Sequence, residues 1–146
     1  MKLALLFLGL AFLYLFLGWL VSFPIKLRAY SLSSPKLSSS VRIAVVSDLH
    51  STIYGENQKR LLSKLRQSQP DLILMPGDII DDIKPLKGAE QFLDQVPAIA
   101  PCYYCTGNHE NIDTLITLEE VKKRVRQAGI TVLDNKKKRL RFAEQR

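Results

Sequence analysis

"DLILMPGDIIDD", residues 71–82, carries a short apolar run straight into proline, glycine and three aspartates. An apolar stretch of strand length that ends abruptly in turn residues reads as a buried β-strand followed by a tight loop. Two other stretches repeat the plan: "VRIAVVS" (41–47) leads into "SDLHS" (47–51), and "IAPCYYC" (99–105) into "TGNHEN" (106–111). "ITVLDN" (130–135) reads as a fourth strand. Between them, residues 57–69, 86–96 and 117–129 carry helical periodicity, with Leu61, Leu62 and Leu65 on one stripe. Thr117 followed by Glu120 spells a capping box, and Gly129 is a natural terminator. Strands separated by helices predict successive βαβ units and a largely parallel sheet. Apolar runs without alternation predict strands covered on both faces.

In an open α/β sheet the loops leaving the carboxyl ends of the strands converge, and ligands bind there. The three loops deliver Asp48 and His50, then Asp78 and Asp81, then Asn108 and His109 to that edge, and these are the only two histidines of the chain. Singly, each loop could be ordinary turn chemistry, since Asp, Asn and Gly are common turn residues. Three such loops in consecutive units are harder to explain in that way. Carboxylate, carboxamide and imidazole donors suit manganese, iron or zinc, and loops without thiolates argue against a closed structural zinc site. A central carboxylate such as Asp78 can bridge two ions roughly 3.5–4 Å apart.

"DLH" (48–50), "GDIID" (77–81) and "GNHE" (107–110), in this order and each after a strand, resemble the D-x-H, G-D-x-x-D and G-N-H-[DE] motifs of the calcineurin-like metallophosphoesterases. The resemblance covers about residues 41–135 and includes the "GITVLDN" strand. It implies an α/β fold, the N-terminal half of a metallophosphoesterase-type αββα sandwich. It also implies hydrolysis of a phosphomonoester or phosphodiester by a two-metal-activated hydroxide, with two divalent ions (Mn, Fe or Zn) as cofactors. Carried over residue by residue, Asp48 and His50 would ligate the first metal, Asp78 would bridge both, and Asn108 would ligate the second. His109 would be catalytic, as general acid or phosphate-facing donor; Asp81 would stand behind the ligands, and Glu110 would orient His109.

The family pattern continues with a lone histidine and a G-H-x-H motif, and no histidine follows His109. The second metal would then keep only Asp78 and Asn108. The expectation is therefore a chain truncated after the third motif, in which enzymatic activity competes with an alternative, an inactive membrane-anchored fragment or weak single-metal binder.

Ahead of this domain, residues 3–23 contain no charge and no proline. Twenty-one helical residues span about 30 Å, the thickness of the hydrocarbon layer. The expected organisation is an N-terminal transmembrane anchor (1–25), a Ser-rich linker (26–40) and a partial phosphoesterase domain (41–146). The anchor resembles that of the membrane-anchored bacterial members of the family. A cleaved signal peptide or a buried core helix is the alternative, although the apolar run is longer than a signal peptide's and no small-x-small site precedes Pro24. Trp19, Lys26 and Arg28 sit where interfacial anchors belong, and the basic bias leans towards a cytoplasmic domain on a single-pass cell-membrane protein. The anchor raises the prior for a lipid-linked phosphate ester as substrate.

The net charge of +7 is unevenly spread. Residues 41–133 are nearly balanced, and the excess lies in the first forty residues and in the tail "KKKRLRFAEQR" (136–146). Either basic segment could meet anionic headgroups. No basic patch interleaved with aromatics argues for nucleic acid. Cys102 and Cys105, three apart on a strand, point to opposite faces and read as core thiols rather than a disulfide or metal pair.

Overall fold

The computed structural model describes residues 2–22, 25–111 and 116–141. Residues 1–31 and 32–146 form separate compact units.

The first unit is built on one helix, α1 (Lys2–Ser22), with side chains described over residues 6–17. Phe12 and Phe16, one turn apart, stack with ring centroids 6.4 Å apart. Among the described residues no helix is long and apolar enough to cross a membrane. The described side chains of α1 fall short of the roughly 20 residues a span needs, and Trp19 and residues 23–24 lie outside them.

The second unit is an α/β domain. Its sheet contains β1 (Ile43–Val45), β2 (Leu72–Met75), β3 (Cys102–Tyr104) and β4 (Thr131–Val132), all parallel and in the order β1-β2-β3-β4. Ile43 pairs with Leu72, Ile73 with Cys102, and Tyr103 with Thr131. The connecting helices are α2 (Lys59–Ser68), α3 (Lys87–Leu93) and α4 (Leu118–Gln127).

Each element is trimmed relative to its sequence reading for an identifiable reason. The helix expected from residue 57 begins at Lys59, because Asn57 and Gln58 adopt left-handed backbone with φ of 50° and 62°. The Gln58 side chain is buried and donates to the carbonyls of Thr52 and Gly88, tying the first loop to α3. The strand expected from residue 99 begins at Cys102, since Val96–Ala98 forms a 3₁₀ turn and Pro101 has no N–H to give the ladder. α4 starts as expected: Glu120 N–H donates to Thr117 Oγ1 at 3.3 Å, and Thr117 N–H donates to Glu120 Oε2 at 2.9 Å.

The core is Ile73, Met75, Phe92, Tyr104, Val121 and their neighbours, all fully buried. Strands laid down in sequence order with right-handed crossovers put their helices on one face of the sheet. The sheet is open at the edge strand β1, where Ile43 is 50% and Val45 62% exposed. In the inner strand β2 the consecutive residues Leu72 and Ile73 are both buried, so both faces are covered there as expected, and the departure lies at the edge strand β1; a second sheet is not present among the described residues. The α/β class and the parallel sheet stand; the sandwich does not extend beyond this one layer here.

Candidate metal centre

Backbone hydrogen bonds carry the sheet register past the strand ends into the loops. After Val46 N–H meets the Leu74 carbonyl, Asp48 N–H donates to Gly77 O, His50 N–H to Asp78 O and Ser51 N–H to Ile79 O, at 2.9–3.3 Å. The first and second loops therefore run side by side. Asp48, His50, Ser51 and Asp78 all adopt left-handed backbone, with φ of 47–56°. Such residues cost about 1–3 kcal/mol each and persist where the surroundings hold them, most often at functional sites.

The third loop is fastened chiefly by one side chain. Glu110 is 2% exposed, and its carboxylate accepts from the backbone N–H groups of Asp78 (2.9 Å), Ile79 (2.7 Å), Ile80 (3.1 Å) and Gly107 (2.8 Å). The sequence reading gave Glu110 to His109 as an orienting partner. Instead it clamps the second loop to the third, because a buried carboxylate is satisfied best by the row of amides that two converging loops expose. Gly107 lies against Asp78: a Cβ there would run into the Asp78 carboxylate.

These contacts bring Asp48, His50 and Asp78 together, each offering a ligand atom within 4.8 Å of the others. Asp48 is exposed and the other two partly buried, so the group is open on one side. His109 joins through its backbone, donating to Asp78 Oδ1 at 3.0 Å. Its ring packs edge-on against His50, centroids 4.5 Å apart. Asn108 occupies the exposed bend just before His109.

Two consecutive acids stand behind the two histidines. Asp81 Oδ2 lies 3.5 Å from His50 Nδ1, and Asp82 Oδ1 lies 2.8 Å from His109 Nδ1. Asp81 is held below the usual carboxylate range, first by the Lys84 backbone N–H and then, against the opposing effect of burial, by the Ile83 N–H and the Lys84 charge. His109 is held above the ordinary imidazole value, chiefly by its hydrogen bond to Asp82. The sequence reading singled out Asp81 and passed over Asp82. The adjacent acid pair in "IDDI" was the available signal, but which acid meets which ring depends on the loop's turn.

The donor set fits a divalent cation. His50 Nδ1 is buried without a hydrogen-bond partner, the Asp81 carboxylate lying 3.5 Å away, and two carboxylates and an imidazole nitrogen converge nearby. The ligand types are those that manganese, iron and zinc accept. Cys102 and Cys105 take no part. Cys102 is buried in β3, where burial pushes its thiol up to about 11. Cys105 is exposed just beyond the end of β3, which corrects its reading as a core thiol.

The family model of the calcineurin-like phosphoesterases matches residues 41–143. The chain belongs to that family. As a calcineurin-like phosphoesterase it is 28% identical over 79 residues to a protein of Danio rerio described as a transmembrane protein with metallophosphoesterase domain; the match covers 52% of this chain and 18% of that protein. It is 25% identical over 88 residues to an uncharacterized metallophosphoesterase of Campylobacter jejuni, covering 58% of this chain and 24% of the relative. The chain thus spans less than a quarter of either curated relative that it matches.

Proposed function

We propose that this calcineurin-like phosphoesterase holds a divalent metal at Asp48, His50 and Asp78 and hydrolyses a phosphate ester there. The observation that carries the reading is the convergence of three ligand atoms within 4.8 Å at the carboxyl edge of a parallel sheet. A bound ion supplies Lewis acidity towards the phosphoryl oxygens and lowers the pKa of water at the site. Asp78, central among the three loops, would hold a second ion together with Asn108. His109 keeps Nδ1 on Asp82, which leaves Nε2 to donate to the phosphoryl group or to the departing oxygen. A histidine whose pKa a neighbouring acid raises suits either role.

Manganese binding and turnover test this reading. The purified chain is expected to bind Mn²⁺ and to hydrolyse a chromogenic phosphate ester, and Asp78→Asn is expected to abolish both. A chain that binds no Mn²⁺ has no such centre. Ion stoichiometry separates one metal from two: a single ion per chain matches the fully built group Asp48, His50, Asp78, and favours the weak single-metal binder over the two-metal hydrolase.

We further propose that α1 anchors the chain in the cell membrane as a single pass, the basic residues Lys26, Arg28 and Lys36 after it leaning the domain towards the cytoplasmic side. The uncharged run of residues 3–23 and the name of the Danio rerio relative support this. On this reading a lipid-linked phosphate ester comes within reach of the site. The full chain should resist alkaline extraction from membranes, and exposed Cys105 should react with a membrane-impermeant thiol reagent only after the cytoplasmic side is opened.

A further inference from the structure

The loops 47–51, 76–84 and 106–111 bring together Asp48, Asp78, Asp81, Asp82 and Glu110, and the only lysine or arginine among them is Lys84. Its ammonium donates to the His50 carbonyl at 3.3 Å and lies 3.6 Å from Asp81 Oδ2, with 54% of the side chain exposed. A cation therefore stands on the backbone of one ligand and against the acid behind it.

Lys84 is held there loosely. Asp81 Oδ1 already accepts from the backbone N–H groups of Ile83 (3.0 Å) and Lys84 (2.8 Å), and Ser51 Oγ accepts from the Asp81 N–H (3.1 Å). The loop keeps its shape on backbone bonds if the ammonium turns away. The lysine side chain is more than half exposed although Asp81 is buried, and ion pairing by a solvated ammonium adds little to stability. A flexible ammonium with three donors can be lent to an incoming anion at small cost.

The charge of the substrate decides where such a cation matters. A phosphodiester brings one negative charge and a phosphomonoester two, into surroundings made mostly of carboxylates. Metal held by those carboxylates offsets part of this, and the second charge of a monoester calls for a further positive group.

We infer that Lys84 is a substrate-binding residue that recognises the dianionic phosphoryl group and biases the site towards phosphomonoesters over phosphodiesters. The inference rests on the metal centre proposed above. A charge-assisted hydrogen bond of this kind corresponds to about a tenfold change in affinity or more.

The test uses the full chain in detergent, loaded with Mn²⁺ and titrated with inorganic phosphate and with dimethyl phosphate, followed by manganese-induced ³¹P relaxation. Lys84→Gln is expected to weaken phosphate about tenfold, and dimethyl phosphate less than about twofold, with Mn²⁺ affinity unchanged. Lys84→Arg should restore most of the phosphate affinity. Three results overturn the inference: wild-type protein that binds Mn²⁺ but no phosphate, equal effects of Lys84→Gln on both anions or on neither, or a parallel fall in Mn²⁺ affinity, which would make the amine a support for the His50 backbone. Wild-type protein that fails to bind Mn²⁺ overturns the metal centre itself, and this inference with it.

Discussion

Glu110 sits behind the metal-ligand group rather than in it, yet it fixes where Asp78 and Gly107 lie. Its four amide partners come from two loops, so losing the carboxylate unfastens both. Glu110→Gln presents an amide N–H₂ to donors that need an acceptor, and should cost about 3 kcal/mol in the urea unfolding of the chain. A change below about 0.5 kcal/mol, the range of an ordinary surface substitution, would sink the clamp. Asp82 offers a second residue-scale prediction. Because its hydrogen bond is the main cause that raises the His109 pKa, Asp82→Asn should lower that pKa in the metal-free chain, read from the imidazole proton shifts by NMR. The sign for stability follows. A raised histidine pKa gives stabilisation that is full below the unfolded value and is lost as pH rises through the folded one, and Asp82→Asn should reduce that slope, leaving the smaller part due to Asp78 and Asp81. An unchanged His109 titration would mean that Asp82 is not the acid that holds it. At this scale the sequence was partly legible. Strand spacing put the three loops at one edge and the motif resemblance singled out Asp48, His50 and Asp78 within them, whereas the roles of Asp82 and Glu110 depend on contacts about thirty residues apart in the chain.

The elements were legible in kind and less so in extent. Periodicity located three helices and four strands, since apolar spacing reports which face is buried. Their ends moved where side chains had other duties, as Gln58 shows by leaving the helix to bond Thr52 and Gly88. The start of α4 was legible to the residue, because a capping box is a local device that needs no tertiary partner. Thr117→Ala should cost about 1 kcal/mol near neutral pH in chemical unfolding. The same contacts hold the Glu120 carboxyl below its ordinary value, the Thr117 hydroxyl being the largest cause. A lowered carboxyl pKa gives stability that is present above the unfolded value and is lost as pH falls through the folded one. The Thr117→Ala deficit should therefore shrink in acid; a deficit that stays constant down through the carboxylate range would show that Glu120 does not share in the cap.

For the molecule as a whole, the exposed edge strand β1 has a colloidal consequence. Ile43 and Val45 present β-branched side chains to solvent on an edge strand, and an edge strand of this kind is a template for another chain. Lysine is the residue that natural edge strands use to discourage such pairing, so Val45→Lys should raise the protein concentration at which light scattering first reports association. Its unfolding free energy should stay within about 0.5 kcal/mol of wild type, as expected at an exposed position. A loss above about 2 kcal/mol would mean that Val45 is covered after all. The basic ends bear on the same balance, because their excess positive charge repels neighbouring copies at low ionic strength and is screened beyond about 10 Å at 0.1 M salt. Handling the protein in high salt thus removes the repulsion while leaving the bare strand in place, and low-salt buffer is the condition in which it should stay dispersed longest.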